Sequence, residues 1–199
     1  MLPQRSSQIN SKEEIAARRA KAFALIKARS FRRGQFVLAS GKTSEYYLDM
    51  KPTMFDPEGA HALAELLLDQ LTDVPVDYVG GLALGAVPLI STVVMLSHQH
   101  NKPISGFFVR KEVKDHGTKK LVEGLGDGET LQGKKVVIID DVTTTGGSSM
   151  IAVDAAQQSG AEVILGLSVV DRDEGAAACY GKRSIPFKAV FSARDFLNS

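Results

Sequence analysis

The most chemically informative stretch of the chain runs from Lys135 to Ser148, Lys-Val-Val-Ile-Ile-Asp-Asp-Val-Thr-Thr-Thr-Gly-Gly-Ser. Four consecutive apolar residues, Val136 to Ile139, read as a buried strand that ends in two acids, Asp140 and Asp141. A hydroxyl- and glycine-rich turn through Val142, Thr143, Thr144, Thr145, Gly146 and Gly147 then feeds a helix beginning at Ser148. At such a junction unpaired backbone N–H groups and the helix dipole favour an anion, so the turn can cradle a phosphate. The two acids cannot bind that phosphate themselves. At the C-terminal edge of a strand they can receive ribose hydroxyls or a magnesium-bound sugar, and together the two parts describe a pocket for a phosphorylated ribose.

A second cluster supplies positive charge. Between Arg110 and Lys120, five cations (Arg110, Lys111, Lys114, Lys119, Lys120) face two acids (Glu112, Asp115), a local net of +3 in a chain whose formal net charge is only +1. Little apolar material between Lys111 and Lys120 ties the segment to a core, so it reads as a loop that orders around a polyanion such as pyrophosphate. Two other stretches only imitate nucleotide loops. Gly128 to Lys135 has P-loop spacing but lacks the terminal Ser or Thr and precedes a strand, and Gly41-Lys42-Thr43 lacks the first glycine because position 36 is Phe.

Val136 to Ser148 is similar to the phosphoribosyl pyrophosphate (PRPP) signature of the type I phosphoribosyltransferases. Arg110-Lys111-Glu-Val-Lys114-Asp115-His116-Gly117 resembles the catalytic loop of the orotate phosphoribosyltransferase family. Phe36 to Asp49 resembles that family's N-terminal hood over the base, Gly80 to Pro88 its loop near the pyrophosphate, and Val169 to Arg172 the strand end whose arginine contacts orotate. The resemblance implies that Arg110, Lys111, Lys114 and His116 grip pyrophosphate, while Asp140, Asp141, Val142, Thr143, Thr144, Thr145, Gly146, Gly147 and Ser148 hold ribose 5-phosphate. It makes Lys111, Lys114, His116 and Asp141 the catalytic set, and gives orotate to Thr144 and Arg172, with Tyr46 or Tyr47 over the ring.

A guanidinium suits a carboxylate or paired carbonyl oxygens better than a lysine does. An ion pair of Arg172 with Asp171 or Asp173, and core packing of either tyrosine, stay open beside those roles. The implied reaction is attack of orotate N1 on the ribose C1 of PRPP, giving orotidine 5'-monophosphate and pyrophosphate in pyrimidine (UMP) biosynthesis. Magnesium is the implied cofactor, arriving with PRPP, and no dedicated protein metal site is expected. His61, His98 and His100 have no metal-ligand spacing. His116 can donate a hydrogen bond or a proton to the leaving group. The resemblance further implies a homodimer whose loop is shared across the interface. At Gly85 and Ala39, where some family members carry lysine, this chain has none, leaving Lys42 or backbone N–H groups to compensate.

Elements must place these residues. Ser11 with Glu14 is a capping-box signature for a helix to about Arg29 that sets Ile15, Ala22, Phe23 and Ile26 near one face. Gln35 to Ser40 and Ser44 to Met50 suggest an antiparallel pair, and Asp56 caps a helix with Pro57 first and Leu63, Leu66, Leu67 and Leu71 buried. Strands at Val76–Val79, Ile104–Val109, Val136–Ile139, Val163–Val170 and Phe187–Phe191 then accompany helices at Ala86–Ser97 and Ser148–Gln158. Apolar strands without alternation are buried on both faces. The expected fold is therefore α/β, a mostly parallel sheet flanked by helices as in type I phosphoribosyltransferases, with a small N-terminal α+β hood. Residues 1–10 are expected to be a disordered tail, 11–55 the helix and hood, and 56–199 the PRPP-binding core of a single domain.

With 199 residues, 44% hydrophobic and 24% charged, the chain has globular composition. The near-neutral charge gives no global attraction to nucleic acid or anionic lipid. Residues up to Gln35 carry nine cations against two acids, a net of +7, which admits a nucleic-acid-binding regulator on the same fold. No DNA-binding module accompanies that charge, and a regulator has no need of the Arg110 to Gly117 loop. A purine phosphoribosyltransferase is the enzymatic alternative, opposed by that loop and by Arg172. The opening residues hold no apolar run for a secretion signal, and the lone Cys179 cannot form an intrachain disulfide, so a cytoplasmic protein without nucleic-acid or membrane partners is expected.

Overall fold

A computed structural model of the chain describes residues 12–37, 41, 43–112 and 121–199. The expected cap Ser11, the tail 1–10, the strand residues 38–40 and Lys42 lie outside them. Among the described residues the centre is a five-stranded parallel sheet in the order β4-β3-β7-β8-β9. Its strands are β3 (Tyr78–Gly80), β4 (Ser105–Gly106), β7 (Lys135–Thr143), β8 (Glu162–Asp171) and β9 (Phe187–Ser192).

The apolar run of β7 explains the layers. Val137 and Ile139 enter one buried cluster with the helices α3 (Pro57–Gln70) and α4 (Val87–Gln99), whereas Val136 and Ile138 enter a second with α5 (Gly147–Gln158). Burying a large apolar side chain contributes about 1.5–3 kcal/mol, so a strand apolar on both faces is held only between two helical layers. The uncharged run from Val79 to Leu96 resolves into β3, a loop and α4, and among the described residues no helix is long and apolar enough to cross a membrane.

The N-terminal segment shares the first core. Helix α1 (Lys12–Arg29) buries Ala22 and Ile26, and Arg18 holds Asp69 of α3 through two hydrogen bonds of 2.9 Å. The antiparallel pair β1 (Phe31–Val37) and β2 (Thr43–Leu48) starts earlier than its sequence pattern suggests, because Phe31 pairs with Leu48 and is buried against Tyr46 and Phe196. A short helix α2 (Lys51–Met54) follows, and Asp56 caps α3 by accepting from the Gly59 N–H at 2.9 Å.

One expected strand divides. Ile104–Val109 becomes β4 in the main sheet and β5 (Phe108–Val109), which pairs antiparallel with β6 (Val122–Glu123). Gly106 allows the change, since a Cβ there would meet Val94 and Ile90 of α4 at 2.7 and 2.8 Å, and Phe107 then lies over Gly80. Three helices had no sequence expectation, the short α2, α6 (Ala176–Gly181) and α7 (Ala193–Leu197), the last capped by a Ser192/Asp195 capping box.

Tyr180 of α6 lies so close to Gly166 of β8 that a Cβ on Gly166 would collide with its ring. Gly166→Ala should therefore lower stability by about 1–3 kcal/mol through overpacking, read as a reduced midpoint in denaturant unfolding with the m-value unchanged.

Candidate active site

Parallel sheets offer a ligand crevice where successive connections leave to opposite faces. Here that point lies between β3 and β7, because α4 packs on one face and α5 on the other. The loop after β3 folds back across the end of β7. Gly81 is so close that a Cβ there would strike the Ile139 carbonyl, and a Cβ on Gly85 would sit 3.1 Å from Asp141 Oδ1. A larger residue at Gly85 would have to displace the carboxylate.

The two acids lie inside β7, which continues to Thr143, rather than at its last residues as the sequence pattern implies. Asp140 accepts from Ser149 Oγ at 2.8 Å and from the Asp141 N–H at 3.1 Å. Burial, reinforced by the neighbouring Asp141 charge, pushes the Asp140 carboxyl up to about 7. Ser149 also meets the hydroxyl of Tyr180, which burial raises above its ordinary value. Neither Ser149 nor Tyr180 figured in the sequence reading. A serine three positions after the Gly146-Gly147 start of a helix is the only signal that was available.

Beyond the acids, Val142 and Thr144 are half-buried, and Thr143 is buried with no partner for its hydroxyl. Thr145, Gly147 and Ser148 are exposed. Gly146 caps α5 in the left-handed conformation, φ 84°, a Cβ there would lie 3.2 Å from Cys179 Cβ, and the first turn of α5 contains no acid. The free N–H groups there are open to an anion.

The basic segment springs from beside this crevice. The β5–β6 pair adjoins the β3 loop through hydrogen bonds of 2.8 Å from the Ala83 N–H to the Val109 carbonyl and from the Val109 N–H to the Gly81 carbonyl. Arg110 follows β5 and is held by Glu123 of β6. Lys111 is exposed. Lys114 and His116 lie outside the described residues.

Arg172 and the tyrosines occupy the hood side. The Arg172 side chain is only 9% exposed; its Nε donates to Glu174 Oε1 at 3.0 Å, and its guanidinium carbon lies 4.5 Å from the centre of the Tyr46 ring. The partner is thus Glu174 and neither Asp171 nor Asp173, whose carboxylates turn to the Asp173 N–H and to Ser192. Arg172 and Tyr46 line a cavity of about 380 Å³ with Thr43, Ser44, Glu174 and Arg194. Strand alternation sends Tyr47 to the other face, where it packs on Phe36 with ring centres 5.5 Å apart. Asp140 and Asp141 supply oxygen donors suited to a hard cation, and among the described residues no group of three or more His, Cys, Asp or Glu side chains gathers for a metal.

A protein of Rhodopseudomonas palustris, an orotate phosphoribosyltransferase, is 52% identical over 184 residues, 92% of this chain and 98% of that protein. The chain belongs to the orotate phosphoribosyltransferase family. No family model matches it. Among solved structures, an orotate phosphoribosyltransferase of Mycobacterium tuberculosis is similar with a TM-score of 0.78 and 32% identity, covering 90% of this chain and 98% of that one. A second structure of an orotate phosphoribosyltransferase from that organism, in complex with PRPP, matches with a TM-score of 0.75, 31% identity and the same coverage. The fold expected of the family, a parallel sheet between helices, is the fold found.

The raised Asp140 has a measurable consequence for the ligand-free enzyme. The folded protein keeps this proton up to about pH 7, whereas an ordinary aspartate releases it near 3.8, so its contribution to stability is present in acid and is lost as pH rises through that window. Asp140→Asn cannot ionise, and its amide can keep both contacts by accepting from the Asp141 N–H with its oxygen and donating its NH2 to Ser149 Oγ. Its thermal stability should exceed wild type more at about pH 8 than at about pH 5, by on the order of 1–3 kcal/mol.

Proposed function

We propose that the crevice binds PRPP and the Arg172 cavity binds orotate, and that the chain joins them to give orotidine 5'-monophosphate and pyrophosphate. The observation that carries this reading is the juxtaposition of an acid pair on β7 and a first helical turn without acids at the sheet's switch point. A strongly anionic sugar phosphate fits the N-terminus of α5, and the ribose hydroxyls fit the carboxylates. Val142, Thr143, Thr144, Thr145, Gly146, Gly147 and Ser148 form the cradle, in which buried Thr143 supplies shape and the exposed Thr145, Gly147 and Ser148 supply contacts. Thr144 stands between cradle and base.

In the reaction the C1–pyrophosphate oxygen bond breaks as orotate N1 bonds to C1, and the electron pair leaves with pyrophosphate. The chain supplies no nucleophile. It holds two reactants in line and stabilises charge on the departing group, tasks worth several kcal/mol each. Arg110 and Lys111, with Lys114 and His116, take the pyrophosphate. Asp140 and Asp141, together with the substrate's own oxygens, would hold magnesium, which would neutralise phosphate charge. Arg172 pairs with the orotate carboxylate, two of its donors being already spent on Glu174 and Ser44, and Tyr46 provides the apolar wall.

Orotate, against adenine, hypoxanthine, xanthine and uracil, should be the base consumed with PRPP and magnesium; consumption of a purine with orotate inert would end this reading. In the same assay Arg172→Ala should raise the KM for orotate at least about tenfold while that for PRPP moves less than about threefold. Equal changes in both would remove Arg172 from the base site.

The working enzyme is a homodimer in which each subunit's loop completes its partner's pocket. Mixing Lys114→Ala chains with Asp141→Asn chains, each nearly inactive alone, should restore activity once subunits exchange, since a heterodimer then has one site with an intact loop and an intact pocket. Proven exchange without recovery would show that Lys114 serves its own chain.

A further inference from the structure

The Arg172 cavity holds a second guanidinium. Arg194, in the first turn of α7, lines it together with Arg172, Ser44 and Tyr46. Helix α7 is short but fixed in place, because Ala193 and Phe196 are buried in the first core. The capping Ser192 holds the arginine's backbone: its Oγ accepts from the Arg194 N–H at 3.0 Å and donates to Asp173 Oδ2 at 2.7 Å. The same carboxylate oxygen lies 3.3 Å from Arg194 Nε. Asp173 follows Arg172 directly and takes the left-handed conformation, φ 59°, which aspartate tolerates better than most residues. The turn after β8 and the start of α7 thus close into a ring that sets both arginines on one cavity.

The two guanidiniums are not equivalent. Arg172 is enclosed and already engaged by Glu174 and Ser44. The Arg194 side chain is 77% exposed, and among the described residues Asp173 is its one partner, which leaves the donors of its terminal nitrogens for a ligand. Strand order also places them at different distances from the crevice between β3 and β7. Arg172 follows β8, the neighbour of β7, whereas Arg194 follows β9, one strand farther out. Orotate has a matching asymmetry. Its reacting N1 points to the crevice, the carboxylate on C6 adjoins N1 and falls to Arg172, and the C4 carbonyl lies across the ring from N1, on the side of β9.

We propose that Arg194 is a specificity-determining residue that donates to the C4 carbonyl oxygen of orotate, with Asp173 and Ser192 as its positioning residues. The assignment rests on the functional reading above. Its physical basis is preorganisation: an arginine free in water gives up rotamer freedom to meet a carbonyl, whereas Asp173 and Ser192 have already restricted this one at both ends. The same donors select against the wrong ring. An amino group at C4, as in cytosine-type bases, would set donor against donor, a mismatch that a site built to hydrogen-bond its substrate rejects strongly.

The test uses the intact chain with Arg194→Ala and Arg194→Lys. Arg194→Ala should raise the KM for orotate about tenfold, the loss expected for one charge-assisted hydrogen bond, while kcat and the KM for PRPP stay within about twofold. Arg194→Lys, which keeps a charged donor, should recover most of the loss. The deciding probe is the orotate analogue with an amino group in place of the C4 oxygen, measured as an inhibitor against orotate. Wild type should favour orotate over it by at least about tenfold, and Arg194→Ala should bring the two within about threefold. A loss that falls equally on orotate and the analogue would mean that Arg194 only props the turn, and would overturn the assignment, as would a wild-type KM for orotate in Arg194→Ala. A wild-type chain that does not consume orotate with PRPP would instead overturn the functional reading beneath it. Both variants keep the backbone N–H that Ser192 holds, so their thermal midpoints should match wild type.

Discussion

Burial of the central strand on both faces constrains everything around it. Val136 to Ile139 face two apolar clusters alternately, so β7 has no solvent side and its position between β3 and β8 is set by packing. The chain's next two residues are acids, and they emerge where that packing ends. Because α4 and α5 cover opposite faces, the loops after β3 and β7 diverge at the same place and leave the carboxylates at the base of a crevice. The location of the site is thus a consequence of sheet topology.

Burial, reinforced by the charge of the adjoining Asp141, holds the Asp140 carboxyl above the ordinary aspartate range. The protein tolerates it through local hydrogen bonding: the Asp141 N–H and Ser149 Oγ both donate to Asp140, and Tyr180 fills the space behind Ser149. Desolvation nevertheless outweighs these donors, which leaves a ligand-free site better suited to a proton than to an empty pair of charges. On the proposed reading, a cation and ribose hydroxyls would relieve that condition by giving the carboxylates partners. Stability of the free protein and affinity for its ligand accordingly pull in opposite directions at Asp140, the usual relation where function requires an unfavourable group.

The strand–acid–turn–helix string was legible because each of its parts has a local cause: an apolar run, two charges, and a glycine at the left-handed helix cap. Asp56 with Pro57 was legible for the same reason. What escaped depended on contacts distant in sequence. Nothing within Ile104–Val109 reveals that Gly106 is pressed by α4 while Phe107 crosses Gly80, so one expected strand became two. Arg172 is flanked by Asp171 and Asp173, yet the backbone turn gives it Glu174, and those nearer acids satisfy neighbouring N–H and hydroxyl groups. Tyr46 and Tyr47 are equivalent in sequence; only the alternation of β2 sends one to Arg172 and the other to Phe36.

The two halves of the site are built from different materials. On the proposed reading the PRPP side consists of the turn into α5 and the central strand, whose apolar run cannot change without disturbing both cores. The cavity proposed for the base borrows Tyr46 from the hood, Arg172 from just beyond β8, and Arg194 from α7. It rests on an aromatic group in which Phe23 of α1 stacks on Phe196 of α7 at 4.6 Å and Phe31 packs on both Tyr46 and Phe196. The hood is therefore joined to the C-terminal helix by side-chain packing, with Arg33 reaching the Phe196 and Leu197 carbonyls from β1. Substitutions in this outer group can reshape the base cavity while leaving the phosphate cradle intact. On the proposed assignment, that separation lets one sugar-phosphate pocket serve different bases, with discrimination falling to the residues around Arg172.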